Sequence, residues 1–238
     1  MCTLSFAPTP SGCQLAMNRD ESLSRIPALP PRLWNYRDTR ALHPGEQDGG
    51  TWIGGNEHGL AAALLNWYSK PSPAGGDFVG RGCLVPTLLG SRSLTEAAAV
   101  IASMPLDRTR PFRLVAFSVP EQSIAEWDWC GRYLTALNHP WKQLHWFSSG
   151  FDEERANEIR SVTCKSHPSP AGDGFLALHR SHVPEPGPFS ICMHREDAQT
   201  FSCTLLEWTP AGWNMDYHDG PPCLGSPTSN LRLPAFPR

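Results

Sequence analysis

The sequence predicts a single α+β domain, and three observations carry that prediction. The chain opens with two alternating stretches joined by turn residues, it holds a nearly continuous apolar run from Leu60 to Trp67, and only two or three segments have helical patterning. With 238 residues it can bury a sizeable core, and 40% hydrophobic content suits a globular chain. No internal repeat or interdomain linker is evident, so residues 1–238 read as one domain with a Pro-rich segment, 221–238, at the C-terminal end.

Cys2 to Ala7 alternates, with Cys2, Leu4 and Phe6 on one face, which is strand periodicity. Pro8-Thr9-Pro10-Ser11-Gly12 supplies a turn, and Cys13 to Met17 a second strand, so the first residues form a hairpin. Asn18-Arg19-Asp20-Glu21 then places three charges directly after the expected strand end. Ile26 to Pro31 reads as a loop leading to Trp34. Gly49 to Gly54 reads as a short strand, Gly55 to Gly59 as a turn, and Leu60 to Trp67 as a buried strand. Lys70 to Gly80 is a Pro/Gly/Ser loop.

Ser93-Leu94-Thr95-Glu96 is a capping box opening a helix through about Met104. Phe112 to Phe117 and Leu144 to Phe147 read as strands, Asp152 to Val162 as a helix, and Phe175 to Ser181 as a weaker one. Ile191 to His194 and Thr200 to Trp208 read as strands joined by residues 195–199. The segment from Pro221 to Arg238 lacks periodicity and reads as ordered coil or a loose tail.

The 20 basic and 23 acidic residues leave a net charge of −3, which gives no basic footprint for nucleic acid. No stretch approaches the length of a membrane span, and the N-terminus lacks the basic and apolar regions of a signal peptide, so a cytoplasmic protein is expected. The eight cysteines are dispersed with no Cys-x-x-Cys pair, and all but Cys2 are read as small apolar side chains. No His-Glu-x-x-His, P-loop or spaced Cys/His cluster occurs, so neither a metal nor another cofactor is expected; His179 and His182 are read as structural or surface residues.

Cys2 is the residue on which chemistry is expected to fall. Loss of Met1 exposes a thiol and an α-amine on one residue. The amine, with a reference pKa of about 7.7–8.0, is matched to act as general base for its own thiol. The hairpin returns the chain to its own start, so Arg19 and Asp20 sit near that amine, where Arg19 favours the thiolate and Asp20 holds the amine. If Asp20 is partly exposed in the cleft, Asp20→Asn is expected to damage function while leaving folding almost unchanged.

Met1-Cys2-Thr3-Leu4 followed by Asn18-Arg19-Asp20-Glu21, Gly49-Gly50-Thr51-Trp52-Ile53-Gly54, Asn56-Glu57-His58-Gly59, Arg81-Gly82 and His194-Arg195-Glu196-Asp197-Ala198 resembles the NRDE family, also called the transport and Golgi organisation protein 2 family. That family is similar to N-terminal-nucleophile hydrolases such as conjugated bile acid hydrolase and penicillin V acylase. The resemblance implies a four-layer αββα sandwich with Cys2 as nucleophile, Arg19 and Asp20 beside it, and Asn66 as oxyanion donor. It implies Arg160 as a stand-in for a downstream substrate-binding Arg. Ser148-Ser149 falls where those hydrolases carry a further Asn. Apart from the resemblance, Trp52 and Trp67 flank the expected site and read either as core side chains or as the wall of an apolar substrate pocket.

Two functions follow as expectations. One is hydrolysis of a small linear amide or acylated amino compound. The other, implied by the family's links to Golgi organisation, lipid homeostasis and haem trafficking, is binding of a haem-like ligand in the same cleft, with Cys2, His58 or His194 as iron ligands.

Overall fold

The computed structural model describes residues 2–72, 77–167, 174–225 and 227–237. Met1, part of the 70–80 loop, and residues 226 and 238 of the C-terminal segment therefore lie outside the described residues.

Two antiparallel sheets stack face to face, each covered by helices on its outer side. The first has the order β10-β1-β2-β11-β12-β13, built from β1 (Cys2–Thr9), β2 (Gly12–Ser22), β10 (Leu144–Ser148), β11 (Ala198–Thr209), β12 (Gly212–Asp219) and β13 (Thr228–Pro234). The second is a meander from β3 (Leu29–Tyr36) through β4 (Thr39–Gly45), β5 (Ile53–Asn56), β6 (Leu60–Asn66), β7 (Phe112–Ser118) and β8 (Ser123–Trp129) to β9 (Leu134–Pro140). Helices α1 (Leu84–Leu89) and α2 (Leu94–Ala102) pack on the meander, while α3 (Glu153–Ser166) and α4 (Gly174–His179) pack on the first sheet.

Side-chain alternation explains the layers. Leu4, Phe6, Leu15 and Met17 meet Ala61, Ala63, Leu65, Val115 and Phe117 between the sheets. The opposite face of the meander, Leu60, Ala62, Leu64, Leu114 and Ala116, is covered by Leu84, Leu88, Ala97 and Ile101. β6 is thus apolar on both faces, which is why it reads as an unbroken hydrophobic run. Outside the first sheet, Ala7, Ala16 and Phe147 pack on Cys164, Phe175 and Leu178. This is the four-layer αββα sandwich.

Several elements differ from expectation. β2 runs on to Ser22, so Asn18 to Glu21 lie inside a strand rather than after its end. Of the expected Ile26–Pro31 loop, residues 26–28 are irregular, but Leu29–Pro31 open β3, an edge strand with a register shift between Leu29 and Arg32, where Pro30 and Pro31 leave no ladder donor unmet. The C-terminal coil becomes β13, likewise an edge strand. Ile191 to His194 is not a strand; its main chain bonds to Ser181 and Gly187, and only His194 bridges to Gln199. The α2 cap forms as read, with Ser93 Oγ accepting from Glu96 N, although Glu96 accepts from Arg92 N. No helix among the described residues is long and apolar enough to cross a membrane.

His179 is fully buried beneath the first sheet, with Nδ1 3.0 Å from Asn18 Oδ1 and Nε2 2.9 Å from Ser5 Oγ. Burial pulls its pKa down to about 3. An unfolded His takes a proton near its ordinary value of about 6.5, so at intermediate pH the unfolded state binds more protons and stability rises with pH. Lowering the pH from about 7 to about 5 is therefore predicted to cost about 2 kcal/mol through this group. His179→Gln should flatten that part of the profile in urea titrations; an equally steep profile in the variant would contradict the assignment.

Candidate functional site

The first strand pair sets the geometry. Cys2 lies opposite Arg19 on β2 and opposite Ser148 on β10, so its side chain shares a face with Arg19. That face opens on a cleft of about 500 Å³ lined by Cys2, Arg19, Thr51, Trp52, Asn66 and Arg81, among others. Cys2 lines this cleft and is only 7% exposed. Burial pushes the thiol up, the Asp20 and Glu21 carboxylates add to that, and a hydrogen bond from the Asp20 backbone N–H pulls the other way. An amide N–H aimed at the sulfur stabilises a thiolate.

Arg19 crosses the cleft wall with its guanidinium 4.4 Å from the Trp52 ring centroid. It pairs with Glu46 and, at 3.2 Å, with Glu21; Arg25 holds both oxygens of Glu46 at 2.8 and 2.9 Å. Nη1 of Arg19 and Nε1 of Trp52 are buried with no hydrogen-bond partner among the described residues. Arg81 and Arg110 also line the cleft, and neither has a carboxylate ion pair among the described residues. Arg81 is tied at Nη1 to Pro111 O at 2.8 Å.

Asp20 points to the other face. One of its oxygens accepts the Thr200 hydroxyl at 2.7 Å, and the second lies 3.7 Å from Arg160 Nη2. Both Asp20 and Arg160 are 0% exposed. Burial raises the Asp20 carboxyl pKa against the pull of Arg160 and the Thr200 hydroxyl. Arg160 also donates to Cys2 O, Ser148 O, Pro188 O and Phe189 O at 3.4 Å and to Thr3 Oγ1 at 3.2 Å. The expectation that Arg160 touches substrate does not fit this burial: it lies under the strand and fixes the backbone of Cys2.

Asn66 ends β6 at the cleft, where its Nδ2 donates to the Tyr68 hydroxyl at 2.8 Å. An amide NH2 carries two hydrogens, so one remains for a ligand. Ser148, across from Cys2, has a buried Oγ without a hydrogen-bond partner among the described residues. The glycine motifs form the lip of the cleft. Gly50 and Gly82 meet backbone to backbone, and a Cβ on either would stand 3.0 Å from the other's Cα. Thr51 N donates to Gly82 O at 3.0 Å, which holds Trp52 in place. The Asn56 motif is a turn rather than a ligand: Asn56 Oδ1 accepts from His58 N and Leu60 N, and Gly59 has φ +80°.

The model of the family described as Transport and Golgi organisation 2 matches residues 1–158. The chain belongs to that family. No curated protein matches the chain by sequence. Penicillin V acylase from Agrobacterium tumefaciens shares the fold with a TM-score of 0.57 at 11% identity, over 98% of this chain and 86% of that one. A mutant of conjugated bile acid hydrolase from Clostridium perfringens superimposes with a TM-score of 0.51 at 13% identity, over 98% and 97%. A variant of the same hydrolase gives 0.51 at 12% identity over the same shares. The fold of this family member is therefore that of the N-terminal-nucleophile hydrolases.

The side chains considered as haem ligands do not face one cavity. Of the three, Cys2 alone lines the cleft; the His58 ring packs 4.8 Å from that of Phe236, and His194 lies among other Cys and His side chains. Sequence reasoning missed Glu46, Arg25 and Arg110, which carry no local signal and meet only when β2, β4 and the segment before β7 converge. It also missed Thr200 as the partner of Asp20, a contact set by β2–β11 pairing. Asp20 is fully buried, so the condition under which Asp20→Asn was expected to spare folding, partial exposure in the cleft, is not met. Leaving Arg160 charged and unpaired predicts a loss of about 3–5 kcal/mol. Denaturant unfolding measures it, and a loss below about 1 kcal/mol would show that the two groups are not energetically paired.

Proposed function

We propose that this chain is an N-terminal cysteine amidohydrolase acting on a small linear amide or acylated amino compound. The observation that carries the reading is Cys2 at the first position of β1, lining the cleft with its sulfur within reach of the Asp20 N–H. On this reading Met1 is removed. The Cys2 α-amine takes the thiol proton as the sulfur bonds to the substrate carbonyl carbon. Asn66 and a backbone N–H hold the oxyanion, a contribution of about 3–4 kcal/mol when well aimed. The ammonium then protonates the leaving nitrogen as the C–N bond breaks. Water, deprotonated by the same amine, cleaves the thioester and restores the thiol.

The remaining residues have supporting roles in the proposal. Asp20 holds the α-amine, and Arg160 fixes the main chain that carries it. Trp52 offers an apolar wall. Arg81 and Arg110, cations without carboxylate partners among the described residues, favour a substrate that carries an acidic group beyond the scissile bond.

The test uses chain isolated from its native cells, with loss of Met1 checked by intact mass, and a panel of N-acylated amino acids. Release of free amine is expected, with an acyl adduct on Cys2 at early times. Cys2→Ala should lower turnover at least 10²-fold without unfolding the chain. A folded chain lacking Met1 that neither turns over linear amides nor gains acyl mass on Cys2 would overturn the proposal.

A further inference from the structure

His182, Cys192, His194 and Cys223 come together behind the first sheet, and their ligand atoms all lie within 4.8 Å of one another. They come from two segments: the irregular connection between α4 and β11, which carries His182, Cys192 and His194, and a short 3-10 turn after β12 (Pro222–Leu224), which carries Cys223. Cys192 and His194 stand two apart, but His182 lies ten residues before them and Cys223 twenty-nine after, so no familiar spacing motif announces the group and no metal site was expected from sequence. We propose that these four side chains form a mononuclear, closed Zn²⁺ site.

The donor set and its geometry carry the proposal. Two thiolates and two imidazoles are the ligand mix that closed structural zinc sites use. His194 Nε2 lies 3.7 Å from Cys192 Sγ and 3.4 Å from Cys223 Sγ. Bonds of about 2.0–2.3 Å at tetrahedral angles put neighbouring N and S donors ~3.5 Å apart, between those two values. The His182 and His194 rings stand 5.0 Å apart and nearly perpendicular, so both can turn a nitrogen toward one centre. Nε2 of His182 is buried and has no hydrogen-bond partner among the described residues. A buried ring nitrogen left unsatisfied in this way calls for a ligand. All four donors crowd about one point, which suits a single ion; a two-metal cluster would hold its donor pairs farther apart.

The backbone around the donors is already fixed. Cys192 N donates to Ser181 O at 3.0 Å, drawing Cys192 beside His182. Arg180 Nε donates to Pro222 O at 3.0 Å, bringing in the turn that carries Cys223. Met193, between two of the ligands, donates its N–H to Thr200 Oγ1 at 2.8 Å and accepts from Thr200 N at 2.9 Å. Thr200 in turn donates to Asp20. The ion would therefore fasten the 180–197 segment and the Cys223 turn to the outer side of β2, one residue behind the seat of Asp20. Its role is structural: four protein ligands leave no open position for substrate.

The test is the zinc content of the full chain, isolated under reducing conditions from cells grown with added zinc. The wild type should carry about one zinc per chain. Cys83→Ser, which removes an exposed thiol outside the group, should keep it, and Cys223→Ser should lose most of it. Titrating metal-free wild type with Co²⁺ should give the intense visible bands and thiolate charge-transfer absorption of tetrahedral coordination, a readout that survives misfolding of any variant. Removing zinc with a chelator should lower the melting temperature. A folded wild type with neither stoichiometric zinc nor a tetrahedral Co²⁺ spectrum would overturn the site. So would a native chain in which Cys192 and Cys223 are joined as a disulfide, since that consumes two of the four donors. None of these readouts depends on amide turnover, so the two proposals stand or fall separately.

Discussion

The pairing of Cys2 with Arg19 across the first hairpin governs the rest of the candidate site. In an antiparallel pair, opposed residues share a face and their neighbours take the other. That register sends Cys2 and Arg19 into the cleft between the sheets and sends Thr3, Asn18 and Asp20 toward the helices. A slip of β2 by one residue would turn its side chains over, placing the Asp20 carboxylate in the cleft beside Cys2 and Arg19 toward the helices. The Arg160 guanidinium guards the register. It is fully buried, and it ties together Cys2 O, Thr3, Ser148 O and Asp20, residues that stand side by side only in this pairing.

The cleft depends on a second constraint, the close approach of Gly50 and Gly82. The meander and the 3-10 turn before α1 touch there without side chains between them. This lets Trp52 reach under Arg19 and leaves Arg81 on the rim. Charge in the cleft is unevenly paired. Arg19 and Arg25 share Glu46, while Arg81 and Arg110 face the opening without acidic partners among the described residues. Behind the sheet, the Cys/His group and Thr200 hold the far side of Asp20, so the region beside Cys2 is braced from both faces.

Much of this was legible in the sequence because it depends on local pattern. The hairpin, the doubly buried β6, the capped α2 and the strand ending at Asn66 all follow from alternation or turn chemistry. Cys2, Arg19, Trp52 and Asn66 do line one cleft. What the pattern could not give is anything fixed by long-range pairing. Asp20 was expected just beyond a strand end, holding the Cys2 amine with partial exposure in the cleft, whereas it lies within β2 and is fully buried. Arg160 looked available to a ligand and is instead consumed by main-chain carbonyls. Pro30, Pro31 and Pro234 argued against strands, yet edge strands tolerate them. His182 and Cys223 lie too far from the Cys192–His194 pair in sequence for a spacing rule to join the four.

The central claim is that Cys2 gains its reactivity from its own α-amine in this setting. The most direct measurement compares the rate of Cys2 alkylation by iodoacetamide in two preparations of the same chain, one with Met1 removed and one retaining it. Peptide mapping would report each cysteine separately near neutral pH. The account predicts that Cys2 reacts at least ~10-fold faster once its amine is free, because only then is a base present beside the thiol, while buried Cys13 and Cys203 stay inert in both. Equal rates at Cys2 in the two preparations would contradict it.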